Sequence, residues 1–163
     1  MQELFAPPGE PWQPVSPQLR KLRRLVVAVV TGVVGVAVVI VFSFLFVNVW
    51  LLALTLVAVL AAAVSGWLAV DRNAISWGYS ERDEDLYIKH GAMFRELIVV
   101  PYGRMQYVDV QAGPLEQAFG IASVHLHTAS PGTSARIPGL PKDEAARLRD
   151  KLTALGETQA AGL

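Results

Sequence analysis

A long apolar run without charge constrains this chain more than any other feature. No charged residue occurs at the 46 positions 25–70. As one helix, at about 1.5 Å per residue, the run would measure roughly 69 Å, whereas the hydrocarbon core of a bilayer is about 30 Å thick. One crossing would leave much of the run over, and three would not fit. The run therefore predicts two membrane-spanning helices, near 25–46 and 50–70, with a tight turn at Asn48.

Flanking charge predicts the orientation of this hairpin. Positive residues favour the cytoplasmic side of a span; four precede the first span, Arg72 follows the second, and the turn carries no charge. We therefore expect a multi-pass protein of the plasma membrane with both termini in the cytoplasm. A signal peptide is rejected, because its apolar region would be about 7–15 residues long and near the N-terminus. The basic residues before the first span are Arg20, Lys21, Arg23 and Arg24.

Small residues recur at four-residue spacing in both predicted spans. They are Ala28 and Gly32 in the first span, and Ala58, Ala62 and Gly66 in the second. Small residues at this spacing let helices approach closely in lipid, so we expect these positions to form the contact within the hairpin. The spans contain no ionisable residue, and ion or proton pathways usually need one. The hairpin is therefore interpreted as an anchor in contact with membrane lipids.

Proline dominates the segment 1–24 that leads into the first span. Five of the ten prolines lie within the first 19 residues. This density favours an extended chain over helices or paired strands. We interpret the segment as a flexible cytoplasmic tail, with Trp12 resting on the membrane surface or on the cytoplasmic domain. The alternative is that residues 7–14 form a proline-rich ligand for an aromatic groove.

The remainder of the chain, from residue 71, has the pattern of short half-buried strands. Apolar and polar residues alternate there with a period of two. A short helical turn is predicted at 114–119. The pattern predicts a domain over 71–156, and the whole chain is assigned to the α+β class. Strands are predicted near 74–80, 85–91, 95–100, 106–111, 123–128 and 135–137.

An amphipathic helix is predicted to close this domain. Pro141 suits the first helical position, and Gly156 suits the end. One apolar stripe runs between them, formed by Ala145, Leu148, Leu152 and Leu155. Residues 157–163 are predicted to be disordered.

Composition and motifs exclude several classes of function. The chain contains no cysteine, which excludes disulfides, thiolate metal sites and thiol nucleophiles. Its 14 basic and 14 acidic residues balance, and from residue 71 onward 10 basic residues face 12 acidic ones. That balance argues against nucleic-acid binding and against strong attraction to anionic lipid. Because no catalytic or phosphate-binding motif is found either, we expect neither an enzyme nor a cofactor.

The segment after the third predicted strand resembles a known family. The block Pro101-Tyr102-Gly103-Arg104-Met105-Gln106, followed by Gly113-Pro114-Leu115 and Phe119-Gly120, is similar to the bacterial pleckstrin-homology-like, membrane-flanked domains. The resemblance implies a barrel or sandwich of short antiparallel strands in two sheets, capped by a C-terminal helix. It implies little about biochemistry, because this fold hosts lipid-binding, peptide-binding and scaffolding domains alike.

Two groups of residues are candidate interaction sites. Arg104 is placed to accept a phosphate or to pair with a carboxylate such as Asp109, and it would form a headgroup-binding patch with Lys89 and Arg95. His125 and His127 share one face of a predicted strand. Two imidazoles make an incomplete metal site, and only His90 would add a third. We therefore interpret the pair as a surface feature rather than a metal site.

The acidic run 81–85 lacks the spacing of a calcium-binding loop. It is interpreted as a solvated turn between two strands.

The sequence leaves three hypotheses for function. The first is a non-catalytic interaction or scaffold module anchored at the cytoplasmic face of the membrane. The second is an accessory subunit of a larger membrane export or resistance complex, in which the spans contact a partner. The third is a sensor of lipid headgroups. A membrane-protein partner or self-association is expected under the first two.

Overall fold

The computed structural model describes residues 11–45, 48–129 and 134–160. The chain divides into two compact units. One unit is the hairpin Arg20–Arg72. The other combines the described residues up to Leu19 with those from Asn73 onward.

The hairpin consists of the helices α1 (Pro17–Leu45) and α2 (Val49–Ser76), both long and apolar enough to cross a bilayer. Asn48 lies directly before α2, as predicted. Its side-chain Oδ1 accepts a hydrogen bond of 3.0 Å from the Trp50 N–H, and its carbonyl accepts one of 2.9 Å from the Leu51 N–H. Asn48 therefore caps α2 and marks the turn between the spans.

Both helices extend beyond the charge-free run, which corrects the predicted bounds. α1 begins at Pro17 because Ser16 caps it, accepting a hydrogen bond of 3.2 Å from the Gln18 N–H to its Oγ. α2 continues to Ser76, so the strand predicted over 74–80 begins only at Gly78. The length of a charge-free run reflects the thickness of the hydrocarbon core. A helix, by contrast, continues for as long as its backbone hydrogen bonds continue.

The first sheet contains four antiparallel strands in the order β1-β2-β3-β4. In β1, Gln13 pairs with Tyr79, so the tail predicted to be flexible is an edge strand here. Residues 1–10, which hold the first half of the proposed 7–14 ligand, lie outside the described residues. The strands are β1 (Gln13–Pro14), β2 (Gly78–Glu81), β3 (Asp85–His90) and β4 (Glu96–Pro101).

The second sheet contains three antiparallel strands in the order β5-β6-β7. A 3₁₀ turn over Tyr102–Arg104 connects it to the first sheet, and a short helix separates its first two strands. Among the described residues no ladder joins the two sheets, so the fold is a sandwich rather than a closed barrel. The elements are β5 (Met105–Gln111), α3 (Pro114–Ala118), β6 (Ile121–Thr128) and β7 (Ala135–Pro141).

The last helix, α4 (Lys142–Ala160), closes the core with the predicted stripe. Leu148 and Leu152 are fully buried in the hydrophobic core, to which residues of both sheets contribute, and Leu155 packs at its margin. Pro141 ends β7 instead of opening the helix. Gly156 does not stop α4 either, because an isolated glycine inside a helix costs only about 1 kcal/mol. Residues 157–160 are thus helical, and 161–163 lie outside the described residues.

Candidate functional site

The structure divides the predicted cationic patch. Lys89 lies near one end of β3, and Arg95 directly precedes β4 at that same end of the first sheet. Arg104 follows the opposite end of β4. Six strand residues separate the two ends, which corresponds to about 20 Å. The three side chains therefore do not form one headgroup site.

Of the two alternatives predicted for Arg104, pairing with Asp109 is not found among the described residues. Its side chain is exposed and makes no ion pair with any described residue. Asp109 instead accepts a hydrogen bond of 2.9 Å from Gln111 Nε2, and its Oδ1 lies 3.3 Å from His127 Nε2. The hydrogen bond from Gln111 and the neighbouring imidazoles hold the pKa of Asp109 below its usual value. A carboxylate on this surface therefore faces the histidine pair rather than Arg104.

His125 and His127 lie on the surface of the second sheet that points away from the core. Val124 and Leu126, which alternate with them, are fully buried. The His127 ring stacks on Tyr107 of β5, with 4.2 Å between centroids and 11° between planes. The centroids of the His125 and His127 rings are 6.5 Å apart, and the planes of the two rings differ by 16°. Burial lowers the pKa of His125, and the nearby Arg136 acts in the same direction.

A third imidazole does not join this pair. His90 belongs to the first sheet, stacks on Trp77 with centroids 4.7 Å apart, and lies 3.5 Å from Glu96. No group of three His, Asp or Glu side chains among the described residues is arranged to hold a metal ion. The interpretation of His125 and His127 as a surface feature stays a prediction.

Neighbours on adjacent strands complete a continuous polar and aromatic surface. Arg136 Nη2 donates a hydrogen bond of 2.9 Å to Ser123 Oγ, which donates one of 3.0 Å to Glu116 Oε1. Sequence reasoning missed these residues because cross-strand register decides which side chains meet. The only signal in the sequence was the period-two pattern of β5, which indicates that Tyr107 and Asp109 share one face of that strand. We name as the outer face of the second sheet the residues Tyr107, Asp109, His125, His127 and Arg136.

A second polar cluster joins α4 to the first sheet. The Glu81 side chain is only 6% exposed and pairs with Arg147 at 2.5 Å and Lys151 at 2.7 Å. Burial alone would raise the pKa of Glu81, but the two cations outweigh it and the pKa is lowered. Arg147 also pairs with Glu144, which accepts a hydrogen bond of 2.8 Å from the Tyr79 hydroxyl. The prediction of a solvated acidic turn is therefore wrong for Glu81, whose carboxylate stabilises the packing of α4.

The hairpin packs along a different stripe from the one predicted. Of the predicted small residues, only Gly66 lies at the contact, where an added Cβ would come within 3.4 Å of Val27. Gly35 occupies a similar position against Val59, at 3.8 Å. An added Cβ at Gly32 would meet nothing within 4 Å. The remaining predicted residues, Ala28, Ala58 and Ala62, are exposed.

An ion pair closes the contact between the two helices beyond the charge-free run. Arg24 Nε donates a hydrogen bond of 2.8 Å to Asp71 Oδ1, and the Arg24 Nη2 group pairs with Asp71 Oδ2. The Arg24 guanidinium also lies 5.6 Å from the centre of the Trp67 ring. Basic and aromatic side chains at a helix end suit the interface between lipid and water.

Comparison with known proteins agrees with this architecture. The family model described as Bacterial PH domain matches residues 22–155. The chain belongs to the bacterial PH domain family. The resemblance drawn from residues 101–106, 113–115 and 119–120 is thereby confirmed, and the match includes most of both apolar helices and the strands β2 to β7.

A curated relative of this bacterial PH domain protein is also a membrane protein. The UPF0699 transmembrane protein YdbS of Bacillus subtilis (strain 168) is 35% identical over 79 residues. That stretch is 48% of this chain and 48% of the relative, so the chain spans about half the length of the curated relative it matches. No solved structure matches the chain.

Proposed function

We propose that this bacterial PH domain protein is a non-catalytic interaction module anchored in the membrane, with its sheets in the cytoplasm. The observation that carries the proposal is the outer face of the second sheet. There Tyr107 is 57% exposed and stacked on an imidazole, beside charges of both signs. Tyrosine and arginine are enriched at the centres of protein interfaces. Family membership and the transmembrane relative support a membrane-associated PH-like module.

The edge position of β5 adds to this argument. The order β5-β6-β7 leaves one side of β5 without a neighbouring strand among the described residues. Unpaired backbone groups along such an edge can accept an extended segment of another chain. Tyr107, on β5 itself, would then supply a side-chain contact next to the backbone pairing. We therefore propose a protein or peptide partner, a second copy of this chain included.

A photo-crosslinking amino acid at Tyr107 tests this proposal in native membranes. Arg149 is the matched control, because its side chain is exposed on α4 and, among the described residues, forms an ion pair only with its neighbour Asp150. We expect a discrete crosslinked species from position 107 and none from position 149. The additional change His127→Ala should reduce that species, since it removes the stacking partner of residue 107. Identical patterns from both positions, or none from either, would reject the outer face as the binding surface.

The cytoplasmic placement is a proposal supported by the basic residues that flank the spans. The natural chain has no cysteine, so one introduced thiol reports its own accessibility. In intact cells, a membrane-impermeant maleimide should label Asn48→Cys but not Arg149→Cys. Permeabilised cells should show labelling of both. Labelling of Arg149→Cys in intact cells would contradict the proposal and place the sheets on the outer side of the membrane.

A second candidate function is an accessory subunit of a larger membrane complex. The supporting observation is that Ala28, Gly32, Ala58 and Ala62 face away from the hairpin contact, where small residues permit approach of another helix. Gly32→Leu should then weaken assembly while leaving the hairpin intact. Gly66→Leu should disturb the hairpin itself, because its side chain would meet Val27. If Gly32→Leu leaves the size of the detergent-solubilised complex unchanged, the subunit proposal fails.

A further inference from the structure

Two exposed apolar side chains occupy the turn between β3 and β4. Met93 and Phe94 are 89% and 87% exposed, more than any other large apolar side chain among the described residues. The turn has a defined backbone, because Gly91 has a φ of +96° and an added Cβ there would collide with the Phe94 carbonyl group. The structure thus presents this apolar pair at the tip of a hairpin, where water would solvate it unfavourably.

Strand register places this tip at the end of the first sheet where the chain meets the apolar helices. α2 ends two residues before β2 begins at Gly78, and Gly78 pairs with Lys89 near the end of β3. On the other side, Gly78 pairs with Pro14, three residues before α1 begins. The turn 91–95 continues from this same end. Both connections to the spans and the exposed pair therefore share one end of the sheet.

Chain length allows the tip to reach the headgroup region. From residue 70 to Gly78 the chain covers at most about 16 Å, mostly as helix at about 1.5 Å per residue. The chain that connects β3 to β4 extends four residues beyond Lys89 to Met93, which is up to about 14 Å. The headgroup region begins at the edge of the hydrocarbon core and is roughly 5–7 Å thick. The turn between β3 and β4 is thus long enough for Met93 to reach the headgroup region even if the connection from residue 70 to Gly78 is fully stretched.

Basic and aromatic side chains surround the apolar pair. Lys89 Nζ lies 4.3 Å from the centre of the Trp12 ring, and Arg95 is exposed beside the turn. Trp77 stacks on His90 at the same end of the sheet. Tryptophan, cations and exposed apolar groups together match the chemistry of the interface between lipid headgroups and acyl chains.

We propose that the turn 91–95 is a third membrane contact of this protein. Met93 and Phe94 enter the interfacial layer of the bilayer that holds the two spans, while Lys89 and Arg95 lie against lipid phosphates. The contact orients the sheets relative to the membrane. It does not depend on the outer face of the second sheet binding a partner.

The test uses the full chain reconstituted into vesicles of phosphatidylethanolamine and phosphatidylglycerol. Phe94→Cys is labelled with an environment-sensitive fluorophore, and Asp83→Cys, in the exposed turn at the opposite end of the same sheet, is the matched control. Quenching is measured with nitroxide lipids and, separately, with aqueous iodide. Unchanged thermal unfolding shows that each labelled protein is folded, and Met93→Cys replaces Phe94→Cys if that variant is not.

The expected result is a blue-shifted emission at position 94, strong quenching by the nitroxide lipid and protection from iodide. Position 83 should show the reverse. The proposal is overturned if position 94 is as accessible to iodide as position 83. It is also overturned if position 94 is protected from iodide without quenching by the lipid, because a protein contact would then cover the turn.

Discussion

Gly139 provides the sharpest test of how the first turn of α1 is joined to the sheets. The Gly139 carbonyl accepts a hydrogen bond of 3.0 Å from the Ser16 N–H, and Leu19 packs against it with only 3% of its surface exposed. A Cβ added at Gly139 would lie 2.7 Å from Leu19 Cβ and 2.8 Å from its Cδ2. Because Leu19 Cβ cannot rotate away, Gly139→Ala must displace the helix start or the β7 backbone.

Gly120 separates the steric effect from backbone strain. Gly139 and Gly120 have φ values of +69° and +68°, but an added Cβ at Gly120 would meet nothing within 4 Å. Left-handed backbone costs a residue with a side chain about 1–2 kcal/mol, so Gly120→Ala should lose that amount. Gly139→Ala should lose about 1–3 kcal/mol more through overpacking. For a domain of this size each kcal/mol corresponds to roughly 4–8 °C in Tm.

A double-mutant cycle with Leu19→Ala completes the test. The assay is thermal unfolding of the full chain in mild detergent, followed by tryptophan fluorescence. Leu19→Ala alone should cost about 2–5 kcal/mol, and in its background the penalty of Gly139→Ala should shrink because Cγ and both methyl groups are gone. The remaining Cβ contact keeps the relief partial. Equal losses for Gly120→Ala and Gly139→Ala, or an unchanged penalty in the Leu19→Ala background, would refute this reasoning.

Two further predictions concern charge. Glu81→Gln should lower the unfolding free energy by about 1–2 kcal/mol in chemical denaturation, since Arg147 and Lys151 lose a buried partner but are themselves half exposed; Glu84→Gln, at an exposed carboxylate, should change it little. His125 has a lowered pKa, so the unfolded chain binds more protons there and stability should fall as pH decreases below about 6.5. His125→Asn should flatten the dependence of Tm on pH between about 6.5 and 5, and an unchanged slope would contradict the assignment.

Local patterns predicted most of the elements for identifiable physical reasons. A charge-free run of 46 residues leaves two helices as the fitting arrangement in lipid, and Asn48 between them caps the second helix as expected. Period-two alternation located the strands because each half-buried strand must separate apolar from polar side chains. The stripe through Leu148 and Leu152 likewise predicted the buried side of α4. The Ser16-Pro17 pair carried a helix-start signal that the search for charge-free residues overlooked.

The predicted sites depended on contacts that no local pattern encodes. Arg104 lies away from Lys89 and Arg95 because the six residues of β4 separate them. The sequence does not show at which end of a sheet each of these side chains lies. The cationic partners of Glu81 lie on α4, more than sixty residues away. Because no local pattern reveals such partners, the sequence predicted a solvated carboxylate there.

The sequence by itself determined the class of this protein: an apolar hairpin, short strands, a closing helix, and a family signature within them. These properties follow from the composition and spacing of neighbouring residues, which act over a few positions of the chain. Only the tertiary structure decided which side chains meet, including His127 with Tyr107, Glu81 with Arg147, and Leu19 with Gly139. Those contacts depend on strand register and helix packing, and a shift of one residue in register exchanges the buried and exposed faces of a strand.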